Sequence, residues 1–175
     1  MTQLIRALRR VSTMMYHMRR ADKAITDPAR LRRVLREAKY ITLAMCRGDK
    51  PYLVSLNHAY DTERDCIYVH SAPEGKKLDI LRVNPNVWGQ AVIDHGFYGA
   101  ADDCRQNYVS VMFEGTFAFV EDPAEKLHAF VATNEGLGAP SAGLQKVLDA
   151  NLARATVGRI TITGITGKKS KEIDY

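Results

Sequence analysis

The spacing of hydrophobic residues is helical in the first part of the chain. Between residues 28 and 39 they recur three and four positions apart, which is typical of an amphipathic helix. Asp27-Pro28 precedes this stretch and provides a capping side chain followed by proline at the first helical position. We therefore predict a helix from Pro28 to about Lys39 with its arginines facing outward. Its buried stripe is Leu31, Val34, Leu35 and Ala38.

After this helix the hydrophobic period shortens to two, which predicts β-strands. Polar turns too short for crossover helices separate the first three strands, so these strands are predicted to form an antiparallel meander. Gly115, in the long fifth strand, predicts a bulge or a sharp bend. The predicted strands are Tyr40–Cys46, Pro51–Tyr60, Cys66–His70, Val87–Asp94, Gln106–Val120 and Thr156–Ile165.

Helical patterns also lie between the predicted strands. The first begins near Gly75 and ends before Asn84-Pro85; it is expected to bury Leu78 and Leu81, with Ile80 and Val83 as further candidates. Two more are predicted at 123–134 and 144–154. Six antiparallel strands with interspersed helices indicate a small β-barrel with helical additions, since closing the sheet removes its exposed edges.

One stretch runs from the end of a predicted strand to the start of a predicted helix, and the first turn of that helix has an unusual charge. The strand Cys66–His70 leads through a polar loop to a helix whose first turn holds Lys76 and Lys77. A helix N-terminus carries about +0.5 of a charge, so two ammonium groups there have the wrong sign. A bound anion would remove the conflict, and Ser71 and Gly75 offer a hydroxyl and close backbone approach. The stretch predicts a phosphate cradle; two solvated lysines on an exposed turn are the alternative.

Length and composition indicate one domain with a substantial core. The chain has 175 residues, 46% of them hydrophobic, and no apolar run approaches the ~18 residues of a membrane span. No signal peptide is recognised at the start. Cys46, Cys66 and Cys104 are odd in number and widely spaced, which favours a reducing compartment over a disulfide framework or a zinc site. We expect a cytoplasmic protein.

Positive charge is concentrated near the N-terminus. The net charge is +5, but residues 1–39 hold eleven Lys or Arg against three Asp or Glu. We interpret 1–20 as a basic extension and 21–175 as the folded domain. A basic arm can bind nucleic acid, but no aromatic stacking platform accompanies it, and a solvated segment is the favoured interpretation.

The order of several short motifs resembles the pyridoxamine 5′-phosphate oxidase-like superfamily, in its nitroimidazole-resistance branch. No single motif decides this, but the ordered series is specific and runs from about Met18 to Lys168. After the Asp27-Pro28 helix, its members are Lys50-Pro-Tyr-Leu-Val-Ser-Leu-Asn57, Tyr68-Val-His-Ser-Ala-Pro-Glu-Gly-Lys-Lys77, Asn84-Pro85, Tyr108-Val-Ser-Val-Met-Phe-Glu-Gly115 and Glu121-Asp-Pro123.

The resemblance implies a mainly β (α+β) fold, a six-stranded antiparallel split β-barrel with peripheral helices. It also implies a homodimer that binds FMN in two clefts between the subunits. Ser71, Lys76 and Lys77, in a loop with Ala72 and Gly75, would hold the FMN phosphate. The second strand would lie along the flavin ring, and His70 would lie near the flavin and substrate. The remaining implied cofactor-binding residues are Val54, Ser55, Leu56, Asn57, Tyr108 and Ser110, the last two from the partner or the adjacent barrel wall.

The implied function is an FMN-dependent oxidoreductase of small aromatic or nitro compounds, with His70 as the catalytic residue. The arginine-rich set with which the better-known oxidase branch holds pyridoxal phosphate is absent from the corresponding strands, so pyridoxamine phosphate is not the expected substrate. A barrel that binds haem or a deazaflavin, a non-catalytic flavin-binding protein, and a nucleic-acid-binding protein acting through residues 1–39 are the alternatives. No membrane partner is expected.

Overall fold

The sheet closes on itself because its last two long strands pair with each other. The computed structural model describes residues 18–99, 105–139 and 154–175. In order across the sheet the strands are β1-β7-β4-β3-β2-β5-β6, and β6 pairs again with β7. All pairings are antiparallel. Strands β2 to β7 thus form a six-stranded barrel, which confirms the predicted fold class.

The three α-helices of the described residues lie between strands. A short 3₁₀ turn, Ala21–Lys23, precedes β1. The strands are β1 Ala24–Ile25, β2 Tyr40–Arg47, β3 Lys50–Asp61, β4 Cys66–Ser71, β5 Asn86–Tyr98, β6 Arg105–Val120 and β7 Thr156–Lys169; the helices are α1 Pro28–Glu37, α2 Lys76–Val83 and α3 Pro123–Leu137. Within the described ranges no helix combines the length and apolarity that a membrane crossing would require.

Two hydrophobic clusters hold these elements together. The larger fills the barrel with alternate residues of its strands, including Val109, Val111 and Phe113 of β6, and α1 adds Leu31 and Val34 to it. The smaller lies under α3 and consists of Ala59, Cys66, Tyr68, Val120, Ala129, Phe130 and Val157. Because α3 is anchored by this second cluster, its position relative to the end of β4 is defined.

The irregularity predicted at Gly115 is confirmed, but the extra residue lies on the neighbouring strand. The pairing of β6 with β7 shifts register between Glu114 and Gly115 and leaves Thr163 of β7 without a partner in the ladder. A Cβ atom at Gly115 would lie 2.5 Å from the carbonyl oxygen of Thr161, so a side chain there would collide with β7. Glycine is therefore required by close backbone approach at this bend.

Several predicted boundaries were wrong. Strand β7 continues to Lys169 rather than Ile165, because its polar end pairs with both β6 and β1. Strand β5 runs to Tyr98, α1 ends at Glu37 and α3 reaches Leu137. In α2, Leu78, Ile80 and Leu81 are buried, but Val83 is exposed. The helix predicted at 144–154 lies outside the described residues except for its last position.

Candidate functional site

A cleft of about 670 Å³, here called the main cleft, lies between the adjoining strands β3 and β4 and helix α3. The loop from β4 to α2 forms its rim. Of the residues predicted to bind a cofactor, it gathers Leu56, Asn57, His70, Ser71, Ala72 and Lys77. The antiparallel pairing of β3 with β4, in which His58 lies opposite Val69, brings Asn57 and His70 to the same end of the sheet.

His70 is a half-buried polar residue in the lining of this cleft. Its ring packs against that of Phe130, with 4.8 Å between centroids and 35° between planes. Burial lowers the pKa of His70 below its usual value of about 6.5, so the imidazole is neutral near pH 7. Its Nδ1 atom is buried and has no hydrogen-bond partner among the described residues. A buried nitrogen without a hydrogen-bond partner carries a desolvation cost.

Lys77 supplies positive charge to the same cleft. It is half-buried in the first turn of α2 and makes no ion pair within the described part of the chain. The N-cap residue, Gly75, has a φ of +139°, a conformation that residues with side chains rarely adopt, and no side chain caps the helix. The first-turn N–H groups and the Lys77 ammonium group are the donors that a phosphate requires, so a phosphorylated cofactor fits this site.

Lys76 faces a different part of the surface. It is exposed, and its Nζ atom lies 4.6 Å from the centroid of the Tyr52 ring. It lines a separate cleft of about 470 Å³ with Arg47 and Lys50. Successive helical residues point about 100° apart, so adjacent lysines at a helix start reach different clefts. Lys76 therefore does not line the main cleft.

The four predicted residues of β3 divide between two faces. Val54 and Leu56 are partly buried and pack on the barrel core, and Leu56 also reaches the main cleft. Ser55 and Asn57 are exposed on the outer face. The Ser55 hydroxyl lies 3.1 Å from that of Thr42, and the Asn57 amide donates to the carbonyl of Lys39 at 3.3 Å. The outer face of β3 thus presents polar groups beside the cleft.

Tyr108 and Ser110 lie elsewhere, on the outer face of β6. Ser110 pairs with Val92 of β5 and Lys168 of β7. The backbone N–H of Tyr108 donates to the Ser170 hydroxyl at 3.1 Å. Neither residue lines the main cleft. Their assignment to a cofactor stays a prediction that depends on a second subunit.

Helix α3 forms a wall of the cleft that the sequence analysis did not identify. Phe130, Thr133, Asn134 and Leu137 line it, and Arg154 lies at its rim. The first four recur at positions i, i+3, i+4 and i+7, which places them on one helical face. That spacing is a signal in the sequence, but a mixed polar and apolar stripe does not by itself indicate a site.

Two polar clusters fix α3 against the barrel. Glu125 accepts hydrogen bonds from the Tyr68 hydroxyl at 2.8 Å and from Arg159 at 2.7 Å. Asp61 accepts from Nε2 of His128 at 2.7 Å and from the Arg64 side chain. Burial alone would raise the pKa of Asp61, but these hydrogen bonds and those from the backbone lower it to about 2. The carboxylate is therefore ionised at neutral pH.

Comparison with known proteins places this fold and cleft in a family. The model of the pyridoxamine 5′-phosphate oxidase family matches residues 27–169. The chain belongs to this family. The match covers every strand of the barrel and the whole of the main cleft's described lining. No curated protein matches the chain.

Solved structures from several bacteria share the fold. A candidate 5-nitroimidazole antibiotic resistance protein from Bacteroides thetaiotaomicron is 25% identical, with a TM-score of 0.70 over 83% of this chain and 86% of that one. A FAD-binding protein from Mesorhizobium loti is 24% identical, with a TM-score of 0.62 over 85% and 97%. The flavocytochrome Anf3 from Azotobacter vinelandii is 17% identical, with a TM-score of 0.73 over 94% and 78%.

Proposed function

We propose that this protein is a flavin-dependent oxidoreductase that binds FMN in the main cleft and acts on a small aromatic or nitro-aromatic substrate. The observation that carries the proposal is the convergence of Lys77, Ser71 and the neutral His70 side chain on one cleft. Family membership supports a flavin, and the similarity to the candidate nitroimidazole resistance protein supports the substrate class.

The phosphate would be held at the start of α2. Lys77 provides the ammonium group, Ser71 a hydroxyl, and the first turn of the helix its free N–H groups. The Ser71 hydroxyl donates only to the adjacent Ala72 carbonyl at 3.1 Å, an exposed local bond that a charged acceptor can replace. Lys76 contributes to the local positive potential rather than a direct bond.

The flavin ring, when bound, supplies the electron transfer to or from the substrate. The protein would hold it along the outer face of β3, where Ser55 and Asn57 offer hydrogen-bonding groups. His70 stays neutral because it is half-buried in the lining of the cleft, so its imidazole orients the substrate or passes a proton without adding charge. Phe130 keeps the imidazole in this orientation.

A second copy of the chain would complete the site. The outer face of β3, β2, β5 and β6 exposes the large apolar residues Leu53, Trp88, Val92 and Met112. Several large apolar residues exposed on one face are typical of an interaction surface, so a homodimer that buries them is expected. One row of paired residues, Ser55, Thr42, Gln90 and Met112, crosses the four strands. Docking on this face would bring Tyr108 and Ser110 of the partner subunit toward β3.

The test is a visible spectrum and a mass spectrum of the protein as purified. We expect flavin absorption bands and the mass of FMN. A Soret band would instead identify a haem protein, and a deazaflavin mass would identify that cofactor. Protein that stays colourless after addition of FMN would contradict the proposal.

A further inference from the structure

A second cleft of about 370 Å³ lies next to the main cleft. The two clefts share Pro73, Arg154 and Ala155, so they adjoin each other at the start of β7. The second cleft lies between the end of α2 and the start of α3. A ligand longer than a mononucleotide can therefore extend from one cleft into the other.

The second cleft carries excess positive charge. Among the described residues that line it, Arg82, Lys126 and Arg154 are cationic and Glu121 alone is a carboxylate. Lys126 is 3.8 Å from Glu121, which is too long for a hydrogen bond, and Arg154 makes no ion pair within the described part of the chain. Arg82 donates to Asp79 at 2.9 Å through one nitrogen, and a guanidinium has five N–H donors. All three cations thus keep donors for an anionic ligand.

An aromatic surface lies beside these cations. Phe119 is half-buried in the lining and packs edge-on against Phe117, with 5.0 Å between the ring centroids. The guanidinium carbon of Arg82 is 5.6 Å from the Phe119 ring. Aromatic rings and guanidinium planes are the surfaces on which nucleic-acid bases stack, whereas a site for inorganic phosphate alone needs neither.

We propose that the second cleft binds the adenosine diphosphate part of a dinucleotide. The cations would hold the phosphates, and the side chains of Phe119 and Arg82 would contact the purine. Two dinucleotides have this part in common: FAD, whose tail would extend from the main cleft, and a nicotinamide dinucleotide that delivers electrons to a bound flavin. This inference rests on the proposed function for the occupant of the main cleft.

The experiment measures binding of ADP, FMN and FAD to wild-type protein and to two matched variants. Arg82→Gln/Lys126→Gln removes two cations that line only the second cleft. Arg47→Gln/Lys50→Gln removes two from the cleft beside Lys76, with the same change in net charge. We expect the first variant to weaken ADP binding roughly tenfold and the control to leave it unchanged, while both bind FMN as wild type does.

Further measurements distinguish whether the adenosine diphosphate part belongs to FAD or to a nicotinamide dinucleotide. If the tail of FAD occupies the cleft, FAD binds more tightly than FMN, and ADP competes with FAD only. If the reductant occupies it, ADP slows reduction of FMN-loaded protein by NADH or NADPH; either result supports the site. Failure of ADP to bind at low ionic strength, or equal loss in both variants, overturns it. Flavin binding without ADP binding contradicts only this inference, and ADP binding without flavin binding contradicts only the proposed function.

Discussion

Adjacent lysines at the start of α2 show that a shift of one position along a helix decides which cleft a side chain lines. Lys77 is half-buried and lines the main cleft with Ser71, whereas Lys76 is exposed and lies over the Tyr52 ring. The sequence gives no reason to separate them, since both fall in the first helical turn. The structure separates them because the rotation between successive helical residues directs one toward α3 and the other away from it.

This difference predicts unequal effects on cofactor affinity. Lys77→Gln should weaken FMN binding by about tenfold or more, because it removes a charge-assisted hydrogen bond to phosphate. Lys76→Gln is the matched control and should weaken binding by less than about threefold, as expected for an exposed charge. Flavin fluorescence titration measures both constants. Equal losses would mean that the lysines act together, as the sequence alone suggested.

Two buried histidines predict how stability depends on pH. Burial lowers the pKa of His58, although its hydrogen bond to the Leu35 carbonyl partly offsets this, and burial also lowers the pKa of His70. Below about pH 6.5 the unfolded chain therefore binds protons that the folded chain does not. The contribution of these two histidines to stability should be fully present above that pH. The free energy of unfolding should decrease as the pH falls below it.

Urea denaturation at about pH 7.5 and about pH 5.5 measures this loss of stability. His58→Gln should reduce the pH dependence, because a glutamine amide can still donate to the Leu35 carbonyl but does not titrate in this range. A variant with the same pH dependence as wild type would show that His58 is not responsible. The carboxyl group of Asp61, with a pKa of about 2, stays ionised throughout this window.

At the scale of elements, glycines in the barrel strands make room for aromatic rings. A Cβ atom at Gly89 of β5 would lie 2.1 Å from the ring of Phe113, its partner on β6. A Cβ atom at Gly158 of β7 would lie 2.0 Å from the ring of Phe117. Both rings thus occupy space on a neighbouring strand that a side chain would otherwise fill.

We predict that Gly89→Ala lowers the free energy of unfolding by about 1–3 kcal/mol, since the added methyl group overpacks the core. The change should be less harmful in a Phe113→Leu background, because the smaller side chain leaves space for it. A double-mutant cycle by urea denaturation measures this coupling. Purely additive effects would mean that the ring moves aside without cost.

The elements also show which parts of the fold can be predicted from sequence. The six long strands and α1 to α3 were predicted at nearly the right places, because alternation and helical spacing are local properties. Strand β1 was missed, since two residues carry no period; Ala24 and Ile25 are strand only because β7 pairs with them. The wall that α3 contributes to the cleft was also missed, because it depends on contacts between distant segments.

At the scale of the whole molecule, the proposed homodimer would bury the exposed outer face of the barrel. Met112 and Val92 lie on neighbouring strands of this face, and each is about half exposed. Ser55 lies at the far end of the row that ends at Met112. If two copies meet here, association and cofactor binding should depend on each other.

Met112→Glu should therefore shift the protein toward monomer and weaken FMN binding by about tenfold, because burial of a carboxylate at an interface is unfavourable. Leu127→Glu, an exposed apolar position on α3 away from this face, is the matched control and should change neither property. Sedimentation velocity and flavin titration measure the two effects. Wild-type protein that is monomeric when loaded with FMN would contradict the prediction.

The sequence by itself determined the type and order of the main elements, the antiparallel meander and the bend at Gly115, because each follows from neighbouring residues. It also indicated that Asn57, His70, Ser71 and Lys77 belong near one site. Only the tertiary structure decided that Lys76 faces away, that Phe130 holds the His70 ring, and that a basic cleft adjoins the main cleft at Arg154. These relations join residues far apart in the chain, and the packing of α3 on the barrel creates them.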